Sequence, residues 1–200
     1  MDERLWSTTS ELRQLLCELV SWESQTLSEG ECVFSHRIKE KLGEVSYFQK
    51  HPYYLRSHEV DLGRSFISAL YKHPEAVDTI VLISHFDTVQ TEEYGALEHL
   101  AFHPEELTRK LLDDPSLVPE SARKDLQSGD YLFGRGTMDM KMGLALHMQL
   151  IEKASIEEWP INLLLVTVPD EEVNSAGMRK AVVELVKLRE IYGLEYKLFL

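Results

Sequence analysis

Residues 80–89 read Ile-Val-Leu-Ile-Ser-His-Phe-Asp-Thr-Val, an apolar run that ends abruptly in polar side chains. The run from Thr79 to Ser84 is rich in β-branched residues, which is typical of a strand buried on both faces of a helix-covered parallel sheet. Residues two apart on a strand point to the same face, so His85 and Asp87 are expected to be neighbours. This arrangement suits a metal-binding imidazole whose second ring nitrogen is held by a carboxylate. The alternative is a histidine that caps a strand beside a surface aspartate.

Apolar residues at helical spacing predict several helices around this strand. The first covers residues 8–20, where Thr8 and Glu11 form a capping box, and the second ends at Gly43. A helix over residues 176–188 is expected to turn Met178, Ala181, Val182 and Leu185 inward. Two further helices are expected over residues 104–112 and from residue 144 onward.

Further strands are expected near residues 45–49, 65–71, 161–168 and 196–200, and the pattern predicts an α/β fold. Strands that alternate with helices are typical of a three-layer α/β/α domain with a mostly parallel central sheet. The segment 90–130, with three prolines and many charges, interrupts the pattern as a long surface excursion or a border of the active site. In such domains ligands bind at the C-terminal ends of the strands, where the polar side chains after Ser84 are expected to lie.

Composition excludes several classes of protein. The chain has 200 residues, 44% of them apolar, and a net charge of −13. A nucleic-acid binder needs a basic surface, so no nucleic-acid partner is expected, whereas the acidity is compatible with a cation site. The longest apolar runs are too short to cross a membrane, and no signal segment is recognisable at the N-terminus. Two cysteines are too few for a disulfide framework, which favours a cytoplasmic location.

A second polar segment reads Gly-Arg-Gly-Thr-Met-Asp-Met-Lys-Met-Gly over residues 134–143 and is expected to follow a strand at Tyr131-Leu132-Phe133. Its start resembles a dinucleotide-binding fingerprint. However, Asp139 occupies the third glycine position, where a carboxylate would repel a pyrophosphate. Glycines that let the backbone approach closely, followed by one carboxylate, suit the delivery of a metal ligand.

A third polar segment is Asp170-Glu171-Glu172, directly after the strand that ends before Pro169. Adjacent carboxylates repel one another unless a cation or solvent compensates, so this is either a solvated acidic turn or part of a cation site. Pro169 can end the ladder and let Glu171 and Glu172 face one site. Their spacing does not indicate which is a ligand and which is a base.

Together the three segments resemble the motifs of the co-catalytic zinc exopeptidases and amidohydrolases, a family that includes carboxypeptidases, aminoacylases and succinyl-diaminopimelate desuccinylases. The motifs occur in the family's order over residues 84–89, 134–141 and 169–172. Residues 101–104 and 129–136 are similar to an arginine-utilisation branch of the family. The resemblance extends from about Ser10 to the end of the chain.

The resemblance implies a role for each polar side chain. His85 would bind one zinc ion, Asp139 would bridge two, and Glu172 would bind the other. Asp87 would orient His85, and Glu171 would act as general base towards the attacking water. Cobalt or manganese would suit the same ligands. The family pattern also implies a cis peptide bond between Asp139 and Met140.

The resemblance further implies that the chain is the N-terminal part of a catalytic metallohydrolase domain, covering residues 1–200. The remaining metal ligands, the C-terminal part of that domain and an inserted dimerisation domain would lie elsewhere in a longer homodimeric protein. The expected function is hydrolysis of amide bonds in small peptides or N-acylated amino acids, in arginine or amino-acid catabolism. The alternative is a truncated or non-catalytic binding or regulatory protein that keeps the fold. A serine hydrolase built on His85 and Asp87 is disfavoured because the chain has no Gly-x-Ser-x-Gly motif.

Overall fold

The computed structural model describes residues 4–200, and over this range the chain forms a five-stranded sheet covered by helices. The strands are β1 (Leu55–Glu59), β2 (Ser65–Tyr71), β3 (Asp78–His85), β4 (Asn162–Val168) and β5 (Glu195–Phe199). The helices are α1 (Thr9–Ser21), α2 (Glu29–Gly43), α3 (Ser46–Lys50), α4 (Pro104–Asp113), α5 (Glu120–Ser128), α6 (Met142–Ile156) and α7 (Ala176–Tyr192). Short 3-10 turns cover Pro52–Tyr54, Glu92–Leu100 and Pro115–Leu117.

The sheet has the strand order β1-β2-β4-β3-β5 and is mostly parallel, as predicted. β3 pairs in parallel with both β4 and β5, whereas β2 pairs antiparallel with β1 and β4. Four of the five strands therefore run in one direction. The register places His85 opposite Val168, so β3 and β4 end side by side. The chain leaves both strands at the same edge of the sheet, which brings two of the polar segments together.

Helices cover both faces of the sheet, which confirms the three-layer prediction. One layer packs around Leu19 of α1, Phe34 of α2 and Met148 of α6, all fully buried. The opposite layer is α7, which packs on the sheet through Ala181 and Leu185. The excursion between β3 and α6 has a small core of its own, formed by Leu107, Leu111, Val118 and Leu126.

Several local predictions are confirmed. The Thr8 hydroxyl accepts a hydrogen bond from the Glu11 amide at 3.2 Å, and the Glu11 carboxylate accepts one from the Thr8 amide at 2.8 Å, which completes the capping box. Helix α7 begins at Ala176, as expected, and continues four residues beyond the expected end to Tyr192, before Gly193, which adopts a left-handed conformation with φ +62°. The peptide bond between Asp139 and Met140 is cis. No helix within residues 4–200 is both long and apolar enough to span a membrane.

Other local predictions are wrong. The strand expected at residues 45–49 is instead helix α3, because Val45 and Phe48, three residues apart, are both buried on one side of a helical turn. Val182 is 52% exposed, since α7 meets the sheet through Ala181 and Leu185, and Val182 lies about 100° around the helix from Ala181. No strand forms at residues 131–133, which are irregular. The polar strand β1 and helix α5 were not predicted.

Candidate metal centre

Three segments meet at the C-terminal edge of the sheet. His85 is the last residue of β3, Asp139 lies in an irregular turn at Thr137–Lys141 before α6, and Glu172 lies in the loop after β4. One potential ligand atom from each lies within 4.8 Å of the others. His85 is buried, Glu172 is half-buried, and the side chain of Asp139 is 77% exposed. The structure thus brings together the three side chains that were expected to bind metal.

The imidazole of His85 is held from one side and open to the site on the other. Its Nδ1 lies 3.1 Å from the backbone oxygen of Asp87 and 3.5 Å from the carboxylate Oδ1 of the same residue. Its Nε2 points into the site, 3.0 Å from Asp139 Oδ1. Burial disfavours the imidazolium, but the carboxylates of Asp87 and Asp139 outweigh that effect and raise the pKa of His85 to about 9. A cation at Nε2 would therefore replace a proton.

Asp87 holds the loop that carries the acidic pair. Its carboxylate is fully buried and accepts hydrogen bonds from the backbone amides of Glu171 at 2.9 Å and Glu172 at 3.1 Å. A third hydrogen bond comes from the hydroxyl of Thr26 at 2.9 Å. Burial alone would raise the pKa of Asp87, but hydrogen bonds from His85 and the two amides lower it below its usual range. Asp87 therefore fixes both the imidazole of His85 and the loop that carries Glu171 and Glu172. The sequence motif does not reveal the contact with the loop.

Glu171 and Glu172 both face the site, as the position of Pro169 suggested. Glu171 Oε2 lies 3.9 Å from His85 Nε2, and its side chain is half-exposed. Glu172 is more enclosed, and burial together with the neighbouring carboxylates raises its pKa despite the opposing effect of His85. Asp170 before them has φ +64°, a left-handed conformation that turns the chain out of the direction of the strand.

Gly136 allows the segment before Asp139 to approach the end of β3. It has φ +76°, and a Cβ atom there would lie 2.9 Å from Cγ2 of Thr88. Glycine is therefore required at this position, because it adopts the left-handed conformation without strain and has no Cβ atom to clash with Thr88. The segment follows irregular chain rather than a strand, so the expectation that all three polar segments follow strands holds only for the other two.

Lys141 is a further residue of the centre that the sequence did not single out. It is fully buried, its Nζ donates a hydrogen bond to the backbone oxygen of Trp22 at 2.8 Å, and it lies 4.9 Å from the centre of the Phe34 ring. Burial lowers its pKa to about 7, against the attraction of Glu23 and Asp87. Lys141 thereby ties the turn that carries Asp139 to the loop after α1.

The donor set fits a divalent cation. One imidazole nitrogen and two carboxylates are ligands that zinc, cobalt and manganese all accept. Within residues 4–200 this is the one group of three or more such side chains whose ligand atoms lie this close together. His99 and His103, in the excursion between β3 and α6, are exposed and lie outside it.

Comparison with known proteins gives relatives over almost the whole chain. The uncharacterized protein YqjN of Bacillus subtilis is 46% identical over 189 residues, which are 94% of this chain and 35% of YqjN. Protein RocB of the same organism is 31% identical over 188 residues, 91% of this chain and 33% of RocB. The chain therefore spans about a third of the length of these curated relatives.

A solved structure with the same fold is that of an M20 family metallo-carboxypeptidase, Sso-CP2, from Sulfolobus solfataricus. It superposes with a TM-score of 0.65 at 16% sequence identity, over 94% of this chain and 37% of the other. Residues 81–198 match the peptidase family M20/M25/M40, and this range includes His85, Asp87, Asp139, Glu171 and Glu172. The chain therefore belongs to the peptidase family M20/M25/M40.

Proposed function

We propose that this chain supplies part of the active site of a metal-dependent hydrolase that cleaves peptide or other amide bonds in small substrates. The observation that carries the proposal is the convergence of His85, Asp139 and Glu172, with one ligand atom of each within 4.8 Å of the others. Membership of a peptidase family supports hydrolysis as the reaction.

Two divalent ions, zinc in preference to cobalt or manganese, fit the proposal. His85 would hold one ion, Glu172 the other, and Asp139 both, because its exposed carboxylate has two oxygens to offer. When bound, such ions polarise a carbonyl group and lower the pKa of water to about 7.

Glu171 is the proposed general base. Its half-exposed carboxylate lies beside the imidazole at 3.9 Å but outside the three-residue ligand group. It can therefore accept the proton of the attacking water and pass it to the leaving nitrogen. The Glu171 amide is bonded to Asp87, which fixes the backbone from which this carboxylate extends.

The proposed substrates are small peptides or N-acylated amino acids. The relatedness to a metallo-carboxypeptidase supports the first class. The similarity to RocB supports an extension to arginine or amino-acid catabolism. We also propose a cytoplasmic location, supported by two free cysteines, and a homodimer for a longer polypeptide that contains this chain.

The test compares the unaltered protein with Glu171→Gln. Metal content is measured by atomic emission, and hydrolysis is followed with dipeptides and N-acetyl amino acids that include arginine compounds. The substitution should lower turnover by roughly 10²–10⁴-fold, because general-base catalysis is lost, while metal content stays unchanged. Both the 200-residue chain and any longer natural polypeptide that contains it are assayed.

Glu190→Gln is the matched control, since Glu190 is an exposed residue of α7 and its replacement should change neither the metal content nor the turnover. Failure of the unaltered protein to bind metal would contradict the proposal. Metal binding without hydrolysis in the longer polypeptide would favour a non-catalytic binding protein instead.

A further inference from the structure

Arg64 is a buried cation surrounded by three carboxylates. Arg64 is only 3% exposed, and its Nη1 lies 3.1 Å from Asp170 Oδ1 and 3.4 Å from Glu31 Oε2. Its Nε and Nη2 donate to Asp61 Oδ1 at 2.9 and 2.5 Å. Glu31 and Asp170 are fully buried, whereas Asp61 reaches solvent. The guanidinium thus compensates two carboxylates that have no access to water.

Glu31 joins two loops that border the metal centre. Its Oε2 accepts a hydrogen bond from the backbone amide of Leu27 at 2.7 Å, and its Oε1 accepts one from the amide of Asp170 at 2.8 Å. The first loop also carries Thr26, whose hydroxyl donates to Asp87. The second loop carries the acidic pair. Arg64 lies against the carboxylate that connects the two loops.

Asp170 fixes the second loop at both ends. Its Oδ2 accepts a hydrogen bond from the amide of Ala176 at 3.0 Å, and its backbone oxygen accepts one from the amide of Ser175 at 2.5 Å. The next two residues, Glu171 and Glu172, then direct their amides at Asp87. The position of the Asp170 carboxylate therefore determines where Glu172 enters the centre.

We infer that Arg64 is a positioning residue of the metal centre, which acts through Asp170 and Glu31 to hold the loop that presents Glu171 and Glu172. The inference rests on the proposed function, because it assumes that the centre binds a divalent cation. Removal of the guanidinium would leave two buried carboxylates without a countercharge, so one of them would move or take up a proton. Since both accept backbone amides of the loop, either change would shift Glu172.

The experiment measures the affinity for Co²⁺ by visible absorption, in the full chain freed of metal and well below its unfolding temperature. Arg64→Met should raise the Kd for Co²⁺ by roughly 10–100-fold, the usual effect of losing a partner that orients metal ligands. Arg64→Lys keeps the charge but not the forked geometry and should recover part of the affinity. Asp170→Asn should weaken binding in the same direction.

The control is Glu152→Gln in α6. Glu152 is a buried carboxylate like Glu31 and also accepts two backbone amides, those of Leu5 and Trp6 at 2.6 and 3.1 Å. It lies ten residues beyond Met142, about 15 Å along the helix from the end next to the centre. This variant should lose stability yet keep its Kd for Co²⁺ within about twofold, since distant sites are energetically independent.

The outcomes separate the two claims. Weaker Co²⁺ binding by Arg64→Met, partly restored by lysine, with unchanged binding by the control, supports the inference. Unchanged affinity in the Arg64 and Asp170 variants overturns it and leaves the proposed function standing. If Arg64→Met does not fold, Arg64→Lys and Asp170→Asn decide by the same criterion. Absence of Co²⁺ binding by the unaltered protein overturns the proposed function and the inference with it.

Discussion

Lys141, next to the metal centre, is buried, whereas most lysine side chains reach solvent. A lysine normally keeps its ammonium group in water, yet this one is fully buried between aromatic rings with a single backbone acceptor. Its pKa of about 7 means that burial favours the neutral amine strongly. The nearby carboxylate of Asp87 offsets part of this cost.

The Lys141 titration predicts a pH dependence of stability. Between pH 7 and 10 the unfolded chain binds a proton at Lys141 that the folded chain has released, so this residue makes the free energy of unfolding rise with pH. The free energy of unfolding of the unaltered protein, minus that of Lys141→Met, should therefore increase as the pH rises, by at most about 1.4 kcal/mol per pH unit. Urea unfolding with a chelator present, at several values in this range, measures it. The contributions of titratable groups that both proteins share cancel in this difference. A difference that does not change with pH would contradict a lowered pKa of Lys141.

At the scale of the elements, the turn before α6 depends on one glycine. Gly136 and Gly129 have almost the same backbone conformation, with φ +76° and +77°. They differ in their surroundings, because a Cβ atom on Gly136 would meet Thr88 whereas one on Gly129 would meet no atom within 4 Å. The two positions thus separate conformational strain from steric exclusion.

Alanine substitutions at these glycines should have different effects. Gly129→Ala should lower the free energy of unfolding by about 1–2 kcal/mol, the cost of a left-handed conformation for a residue with a side chain. Gly136→Ala should lower it by about 1–3 kcal/mol more, because the methyl group overpacks against Thr88. Chemical denaturation measures both. Thr88→Ser removes the opposing methyl group, so it should restore stability only in the Gly136→Ala background, and equal effects of the two alanines would contradict this account.

At the scale of the whole molecule, strand order concentrates negative charge at one edge of the sheet. Asp87, Asp139, Glu171 and Glu172 surround one imidazole there. Such a cluster is unfavourable without a cation, so a bound divalent ion should stabilise the folded state more than the individual contacts suggest.

Metal addition should therefore raise stability in a way that depends on His85. At a free Zn²⁺ concentration of 100 times the Kd, the free energy of unfolding should rise by about 2.7 kcal/mol, and a chelator should reverse the change. Thermal unfolding with and without the ion measures the effect. His85→Ala should abolish the increase, whereas His99→Ala, at an exposed position outside the centre, should keep it. An equal increase in both variants would place the ion elsewhere.

The sequence alone determined the elements in which apolar residues recur at regular spacing. It also identified the polar residues that are unusual beside such apolar segments. It predicted β3, α1 and the three-layer fold, because continuous apolar runs and helical spacing leave few alternatives. Its motifs also singled out His85, Asp139 and Glu172. It misassigned residues 45–49 and the orientation of Val182, since these depend on which side of an element meets the sheet.

Only the tertiary structure decided how those residues are held. The parallel register of β3 and β4 brings His85 beside the acidic loop, although more than 80 residues separate them along the chain. The contacts of Asp87 with the loop amides, of Lys141 with Trp22 and of Arg64 with Asp170 are equally non-local. A buried polar group must find its partner wherever the fold brings one, and the identity of that partner is not encoded in the residues next to it.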